Sequence, residues 1–223
     1  YLAQRWAVGE IPYRDSFDQK PPAVFVVYAA IQHTLGGTAV ALHWGMQIYT
    51  LGTLLGIFLL GRRLSTPAAG LAAAAFAAFM TADASVFGNA ANTEIFMLLP
   101  LTWGLLAALQ AAERDAVFPS FAAGALGALA LLFKQVALFA VAFSVLMVVL
   151  KARRRAALCA AVLAGALAVF GPMAAYFAHH SALHALWDAT VQHSLAYASR
   201  PPLAVYGHMF LLTFPRIAAA FWP

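Results

Sequence analysis

Long apolar segments, separated by short polar connections, restrict the fold of this chain more than any other feature of its sequence. A helix that crosses the hydrocarbon core of a bilayer needs about 20 apolar residues. The apolar segments are 41–61, 66–84, 95–112, 118–133, 136–150, 156–178 and 203–222. They predict an all-α, polytopic transmembrane helical bundle with about seven membrane segments. The short segments 118–133 and 136–150 leave a second interpretation open, a single bent unit broken around Phe133-Lys134-Gln135.

Composition excludes a water-soluble globular domain. Hydrophobic residues make up 64% of the 223 positions and charged residues only 9%, whereas a soluble domain carries about a quarter charged residues. The net charge of +5 does not indicate nucleic acid, because Lys and Arg form short clusters between apolar segments, as they do at membrane–water boundaries. We therefore expect membrane lipid to surround much of the surface of the chain. Both ends of the chain look cut, so we expect a fragment of a longer protein.

The flanking charges predict how the chain is arranged across the membrane. Segment 21–36 starts with Pro21-Pro22 and is only about sixteen residues long. If it does not cross, seven basic residues share the cytoplasmic side, as the positive-inside tendency expects. They are Arg62, Arg63, Arg114, Lys151, Arg153, Arg154 and Arg155. We therefore predict one domain over 1–223, with an outer loop at 1–20, a juxtamembrane helix at 21–36 and transmembrane helices over 41–223.

The first polar cluster is GEIPYRDSFDQKPP, residues 9–22, directly before an apolar segment. It contains Arg14, Asp15, Asp18 and Lys20. Pro21-Pro22 restricts the backbone and holds Lys20 in an extended conformation. A rigidly placed ammonium at a membrane surface suits a phosphate or diphosphate. The alternative is an ordinary solvated loop whose lysine snorkels to the interface.

Two further polar sites flank predicted spans. Asn92-Thr93-Glu94 precedes segment 95–112 and could cap that helix, or Glu94 could act in an outward cavity as a base, metal ligand or substrate partner. Lys134-Gln135 stands among apolar residues, where a lysine is costly unless it snorkels or meets an anion. Asp83, near the outer end of its segment, could pair with such a lysine.

Histidines at 179, 180, 184 and 193 do not predict a metal site. His180 and His184 share a helical face, but no HExxH pattern occurs and no acidic residue stands at ligand spacing. We therefore predict no metal ligands among the site residues.

The stretch YLAQRWAVGEIPYRDSFDQKPP resembles the first outer loop of the GT-C superfamily of integral-membrane glycosyltransferases. The likeness is to enzymes of the aminoarabinose transferase and protein O-mannosyltransferase kind, glycosyltransferase family 39. The matching positions are Tyr1, Gly9, Pro12, Tyr13, Lys20, Pro21 and Pro22. Asn92-Thr93-Glu94 resembles the second acidic position of the family, and Lys134-Gln135 resembles a Lys-Gln that is common in it.

The resemblance implies transfer of a sugar from a polyprenyl-phosphate donor to a lipid, glycan or protein acceptor on the outer, periplasmic face of a cell (inner) membrane. Lys20 would stabilise the donor phosphate, with Arg14 or Lys134. Glu94 would be the acting carboxylate, with Asp15 and Asp18 as secondary candidates. The expected cofactor is either none or a divalent cation, and Tyr13 and Gln135 are further site residues.

Two departures from the family pattern keep other functions open. The catalytic Asp of the family belongs just before Tyr1, and Gln19 stands where some relatives have Glu. The main alternative is a secondary transporter or lipid flippase with Glu94 and Lys134 as intramembrane coupling residues. That alternative predicts discontinuous helices and inverted repeats. A third alternative is a non-catalytic assembly subunit.

Overall fold

The computed structural model of the chain describes residues 1–82, 90–198 and 203–221. Over these ranges the protein is helical and forms no β-strand, with only an isolated bridge between Pro12 and Ser16. The predicted all-α class is therefore confirmed. Asp83, proposed above as a partner for a lysine, lies outside the described residues.

Eleven α-helices are described in these ranges and are numbered in chain order. They are α1 (Leu2–Ala7), α2 (Ala23–Leu35), α3 (Ala39–Leu64), α4 (Pro67–Ala82), α5 (Thr93–Arg114), α6 (Val117–Phe133), α7 (Leu138–Lys151), α8 (Arg155–His179), α9 (Leu183–Trp187), α10 (His193–Ala198) and α11 (Leu203–Phe221). A 3₁₀ turn at Gln135–Ala137 precedes α7, and a π-helical turn at Asp188–Gln192 joins α9 to α10. The predicted outer loop thus contains a short helix, and the polar stretch after α8 is largely helical.

Three helices of the described chain are long and apolar enough to cross a membrane, namely α3, α5 and α8. The shorter apolar helices are Ala23–Leu35, Pro67–Ala82, Val117–Phe133 and Gln135–Lys151. Length and composition therefore support a polytopic membrane protein. The larger number of about seven membrane segments stays a prediction.

Helix α6 packs between α5 and α8, and its contact with α8 depends on two glycines. A Cβ at Gly124 would lie 1.9 Å from the carbonyl oxygen of Val162, and a Cβ at Gly165 would lie 2.0 Å from that of Phe121. Only glycine lets the two backbones approach this closely. Apolar helices in lipid gain little from hydrophobic burial against each other, so such close packing is a main source of their association.

Helices α6 and α7 form a hairpin that reverses at Lys134. The backbone of Lys134 is extended, with φ −161° and ψ 134°, directly after α6 ends. At the other end of the hairpin, Asp115 Oδ1 accepts hydrogen bonds from the backbone N–H groups of Arg153 and Arg154 at 2.9 and 3.1 Å. Since the start of α6 meets the end of α7, the two segments are separate antiparallel helices and not one bent unit.

The bundle has two chemically different ends. At the basic end, Arg63 donates to Glu113 at 2.6 Å and Arg154 donates to Asp115 at 3.1 Å, which joins the basic termini of α3, α5, α7 and α8. The opposite end, called the site end below, brings together residues 8–22, the first turn of α5, the α6–α7 turn and residues 180–194. Helix α2 packs at the site end, where Ile31 lies against Gly45 and Tyr28 against Phe96.

Candidate functional site

The segment between α1 and α2 is a tightly hydrogen-bonded turn. Tyr13 has a positive φ of 70°, which is uncommon for a bulky residue and needs support from its surroundings. That support comes from the Tyr13 N–H, which donates to Ser16 O at 2.9 Å. In addition, the Ile11 N–H donates to Asp15 Oδ2 at 2.8 Å. These bonds fix the conformation of the turn that leads to Lys20.

Tyr13 ties this turn to the helices and to Lys20. Its side chain is 7% exposed, and its ring packs against Phe25 and Phe177 with centroids 6.4 and 5.6 Å away. Its hydroxyl donates a hydrogen bond of 2.6 Å to the carbonyl oxygen of Lys20. Burial raises the pKa of Tyr13 well above its ordinary value, so the phenol stays protonated and keeps donating. Tyr13 therefore positions the backbone of Lys20.

Arg14 and Asp15 bind each other. The Arg14 guanidinium donates to both carboxylate oxygens of Asp15, at 2.8 and 2.9 Å, and to the carbonyl oxygen of His180 at 3.1 Å. The hydrogen bond from Arg14, together with the one from Ile11, lowers the pKa of Asp15 to about 2. The pair thus anchors the turn to the end of α8, a structural use of two residues that the sequence predicts as site residues.

Lys20 is paired with Asp18 at the start of α2. The Lys20 N–H donates to Asp18 Oδ1 at 2.9 Å, and Nζ lies 3.5 Å from Oδ2. The lysine side chain is 49% exposed, so a ligand can reach its ammonium. The Asp18 carboxylate therefore lies next to this ammonium.

Glu94 and Lys134 form the second pair. Lys134 Nζ donates to Glu94 Oε1, and Thr93 Oγ1 donates to Oε2 at 2.9 Å. The predicted capping role belongs to Asn92, whose side chain accepts from the Ile95 N–H at 3.1 Å, so the Glu94 carboxylate is not needed as the cap. Both partners are well exposed, 48% for Glu94 and 39% for Lys134. Such a pair contributes about 0–1 kcal/mol to stability.

Tyr28 joins α2 to the start of α5. It lies in α2, stacks edge-on against Phe96 with centroids 5.8 Å apart, and donates its hydroxyl hydrogen to the Ala91 carbonyl oxygen. Burial raises its pKa, and the negative charges of Asp18 and Glu94 raise it further. The sequence analysis missed Tyr28, although an isolated tyrosine in an apolar helix beside the polar cluster was a usable signal.

Gln135 holds the α6–α7 turn in place. Its side-chain amide donates to the carbonyl oxygen of Thr190 at 2.6 Å, so it joins this turn to the π-helical segment. Gln135 therefore fixes the backbone beside Lys134.

One of the histidines near this turn pairs with a carboxylate, since His184 Nδ1 lies 2.7 Å from Asp188. Within the described ranges, no three His, Cys, Asp or Glu residues come together in a way that could hold a metal ion.

Two apolar cavities adjoin Pro22, next to Lys20. One of about 540 Å³ lies beside α2 and is lined by residues that include Val26, Leu132 and Phe177. The other, of about 390 Å³, lies between Pro21-Pro22 and Trp187. Leu132, two residues before Lys134, lines both cavities. The site end therefore combines two cations with adjacent apolar space, the arrangement that an anion with a hydrocarbon tail requires.

The comparisons with known proteins give one match. A family model described as dolichyl-phosphate-mannose-protein mannosyltransferase matches residues 19–176 of the chain. That range begins just before Lys20 and contains Tyr28, Glu94 and Lys134. No curated protein and no solved structure matches the chain.

Proposed function

We propose a donor, an acceptor side and a set of acting residues for this chain, which belongs to the family of dolichyl-phosphate-mannose-protein mannosyltransferases. Membership makes it a membrane glycosyltransferase of the mannosyltransferase type. Under the proposal the donor is a sugar linked to a polyprenyl phosphate. The acceptor is a hydroxyl group of a lipid, glycan or protein on the outer face of the membrane.

The observation that carries the proposal is that the Lys20–Asp18 and Lys134–Glu94 pairs lie at one end of the bundle beside two apolar cavities, both of which are lined by Pro22 and Leu132. A polyprenyl-phosphate sugar has a charged phosphate, a polar sugar and an apolar tail. The ammonium groups of Lys20 and Lys134 suit the phosphate. The cavities beside Pro22 suit the first part of the tail, and the sugar would lie near Tyr28.

The chemistry under this proposal is a displacement at the anomeric carbon. The acceptor oxygen forms a bond to that carbon, and the bond from the carbon to the phosphate oxygen breaks with its electron pair remaining on the phosphate. Glu94 takes the acceptor proton, and Lys20 and Lys134 stabilise the charge that develops on the departing phosphate. Because Glu94 is bound to Lys134 in the free protein, a phosphate that takes over the ammonium also releases the carboxylate to act as base.

The remaining site residues support this arrangement in the proposal. Tyr13 fixes the backbone of Lys20, and Gln135 fixes the turn that contains Lys134. Asp18 pairs with the Lys20 ammonium until the donor binds. Arg14 and Asp15 keep the turn attached to α8.

The proposed orientation places the site end outside and the basic end in the cytoplasm. Helix α2 lies on the membrane surface in this proposal, and the remaining apolar helices make up about seven membrane segments. The positive-inside tendency supports the orientation, because basic termini of four helices meet at the end opposite to the site. A transporter finds less support, since Glu94 and Lys134 stand at a helix end and at a turn instead of midway along a span.

The test measures sugar transfer by mass spectrometry in membranes that contain the full-length protein and mannosyl polyprenyl phosphate. Lys20→Ala and Glu94→Gln should each lower the rate at least about a hundredfold, the usual minimum effect of general acid–base and charge stabilisation. The matched controls are Glu113→Gln and Lys151→Ala at the basic end, and these should retain the wild-type rate. If wild type consumes no donor, or if the site variants match their controls, the proposal is wrong.

A further inference from the structure

A groove runs between α3 and α5 and becomes basic towards one end. The two helices are parallel, because Gly52 lies against Leu99, Gly56 against Trp103, and Arg63 against Glu113 in rising order along both helices. Near the basic end the groove opens into a pocket of about 390 Å³. Its lining consists of Leu59, Arg62, Arg63, Trp103, Leu106 and Gln110.

Two polar side chains in this pocket have no hydrogen-bonding partner in the described part of the chain. Arg63 is neutralised by Glu113, but Arg62 meets no carboxylate among the described residues and only rests over the Phe58 ring, 5.6 Å from its centroid. The half-buried Gln110 amide makes no hydrogen bond with any described residue. An unneutralised guanidinium and an unbonded amide in one pocket suit an anion, because both can donate hydrogen bonds to it.

The same groove continues as an apolar cavity away from the basic end. This second cavity has a volume of about 340 Å³ and lies against Tyr49, Leu99 and Leu129. Trp103 lines both the basic pocket and the apolar cavity. Its indole N–H donates to the carbonyl oxygen of Gly52 at 3.0 Å, which fixes the ring at the junction. A molecule that fills both spaces therefore has a charged head and an apolar chain.

We propose that this groove binds one anionic phospholipid of the leaflet at the basic end. Its phosphate contacts Arg62 and Gln110, and one acyl chain passes Trp103 into the apolar cavity. Basic pockets between membrane helices are known to recognise anionic headgroups in this way. A free anion would use only the basic pocket, so the apolar continuation favours the lipid. The site is at the opposite end from Lys20 and Glu94 and does not depend on the proposed transfer reaction.

The test counts lipids that stay bound to the full-length detergent-solubilised protein in native mass spectrometry. Phosphatidylglycerol should be retained in preference to phosphatidylcholine of the same chain length. Arg62→Gln should weaken phosphatidylglycerol binding about fivefold, the factor that corresponds to about 1 kcal/mol per basic residue at an anionic surface. The control is Arg153→Gln, which removes an equal charge at the same end outside the pocket and should bind as wild type does.

A second variant tests whether lipid binding needs the open volume of the basic pocket, separately from the charge of Arg62. Leu59→Trp fills the pocket without changing the net charge, and it should lower phosphatidylglycerol retention while leaving phosphatidylcholine unchanged. Lipid-free unfolding midpoints of all variants are measured alongside to show that they are folded. The proposal is overturned if Arg62→Gln and Leu59→Trp bind phosphatidylglycerol like wild type, if Arg153→Gln loses as much as Arg62→Gln, or if millimolar inorganic phosphate displaces the lipid completely.

Discussion

At the scale of single residues, the site end depends on side chains that hold other side chains in place. Tyr13 is the main example, since it has a positive φ, a buried ring and a hydroxyl that bonds the Lys20 carbonyl oxygen. A lysine side chain is flexible, so fixing its backbone limits the volume that the ammonium can explore. This makes the Tyr13 hydroxyl a positioning group for Lys20.

We expect Tyr13→Phe to separate positioning from packing. The ring and its contacts with Phe25 and Phe177 remain, and only the hydrogen bond to Lys20 is lost, at a cost of about 0.5–1.5 kcal/mol. Transfer should fall by up to about tenfold, as a rise in the KM for the donor, while the unfolding midpoint falls by only a few degrees. Steady-state kinetics in membranes measure this.

The matched control is Tyr1→Phe, which removes a hydroxyl from an exposed ring of the N-terminal segment, one that makes no hydrogen bond with the described residues. Equal kinetics for Tyr13→Phe and wild type would mean that the hydrogen bond does not position Lys20.

Residue chemistry explains which candidate site residues the sequence reveals. Lys20, Glu94 and Lys134 stand out because a charge beside an apolar segment is costly without a partner. Their pairing is not visible in the sequence, since Glu94 and Lys134 are 40 positions apart and meet only when α5 and α6 pack together. Tyr28 is harder to recognise, because a tyrosine at a membrane surface is common and only its contacts with Ala91 and Phe96 place it beside the first turn of α5.

At the scale of helices, the apolar segments predict that a helix exists and which way it runs better than they predict the residues at which it begins and ends. Segments 95–112, 118–133 and 156–178 each correspond to one observed helix, since bilayer thickness and backbone hydrogen bonding leave a buried apolar segment few alternatives. The polar stretch that follows α8 gave no such signal. It becomes helical at 183–198 because Leu186, Ala189 and Thr190 are buried against the site end. This burial depends on tertiary packing, and the polar, histidine-containing sequence of the stretch does not indicate it.

We expect the α6–α8 contact to tolerate no Cβ at its closest point. Gly124→Ala should destabilise the protein by about 1–3 kcal/mol, because the new methyl group would overlap the Val162 carbonyl oxygen and force the two helices apart. Thermal or denaturant unfolding of the detergent-solubilised protein measures the change.

Gly207→Ala in α11 is the control, since no atom lies within 4 Å of its added Cβ and no proline follows it directly. Replacing a glycine in an open helical position by alanine is neutral or stabilising by about 0.5–1 kcal/mol. A destabilisation of equal size in both variants would show that the α6–α8 contact does not depend on Gly124.

At the scale of the whole molecule, the separation of the two ends links topology to function. Seven basic residues at the ends of α3, α5 and α7 and at the start of α8 belong to one end, and both lysine–carboxylate pairs belong to the other. Under the proposed orientation, the positive-inside tendency keeps the first set in the cytoplasm, which leaves the second set on the outer side of the membrane. The orientation of α2 matters for the same reason, because one more or one fewer crossing moves all seven basic residues to the opposite side.

Cysteine labelling tests this orientation directly. The 223 residues contain a single cysteine, Cys159, and Cys159→Ala removes its thiol from the background. Val8→Cys introduces a thiol at a position that is 74% exposed at the site end, and Arg153→Cys introduces one at an exposed position of the basic end. In intact cells with a permeable outer membrane, a membrane-impermeant maleimide should label the Val8→Cys protein. The Arg153→Cys protein should react only after the inner membrane is permeabilised. The reverse pattern would mean that the site end faces the cytoplasm, where it could not meet an acceptor on the outer face.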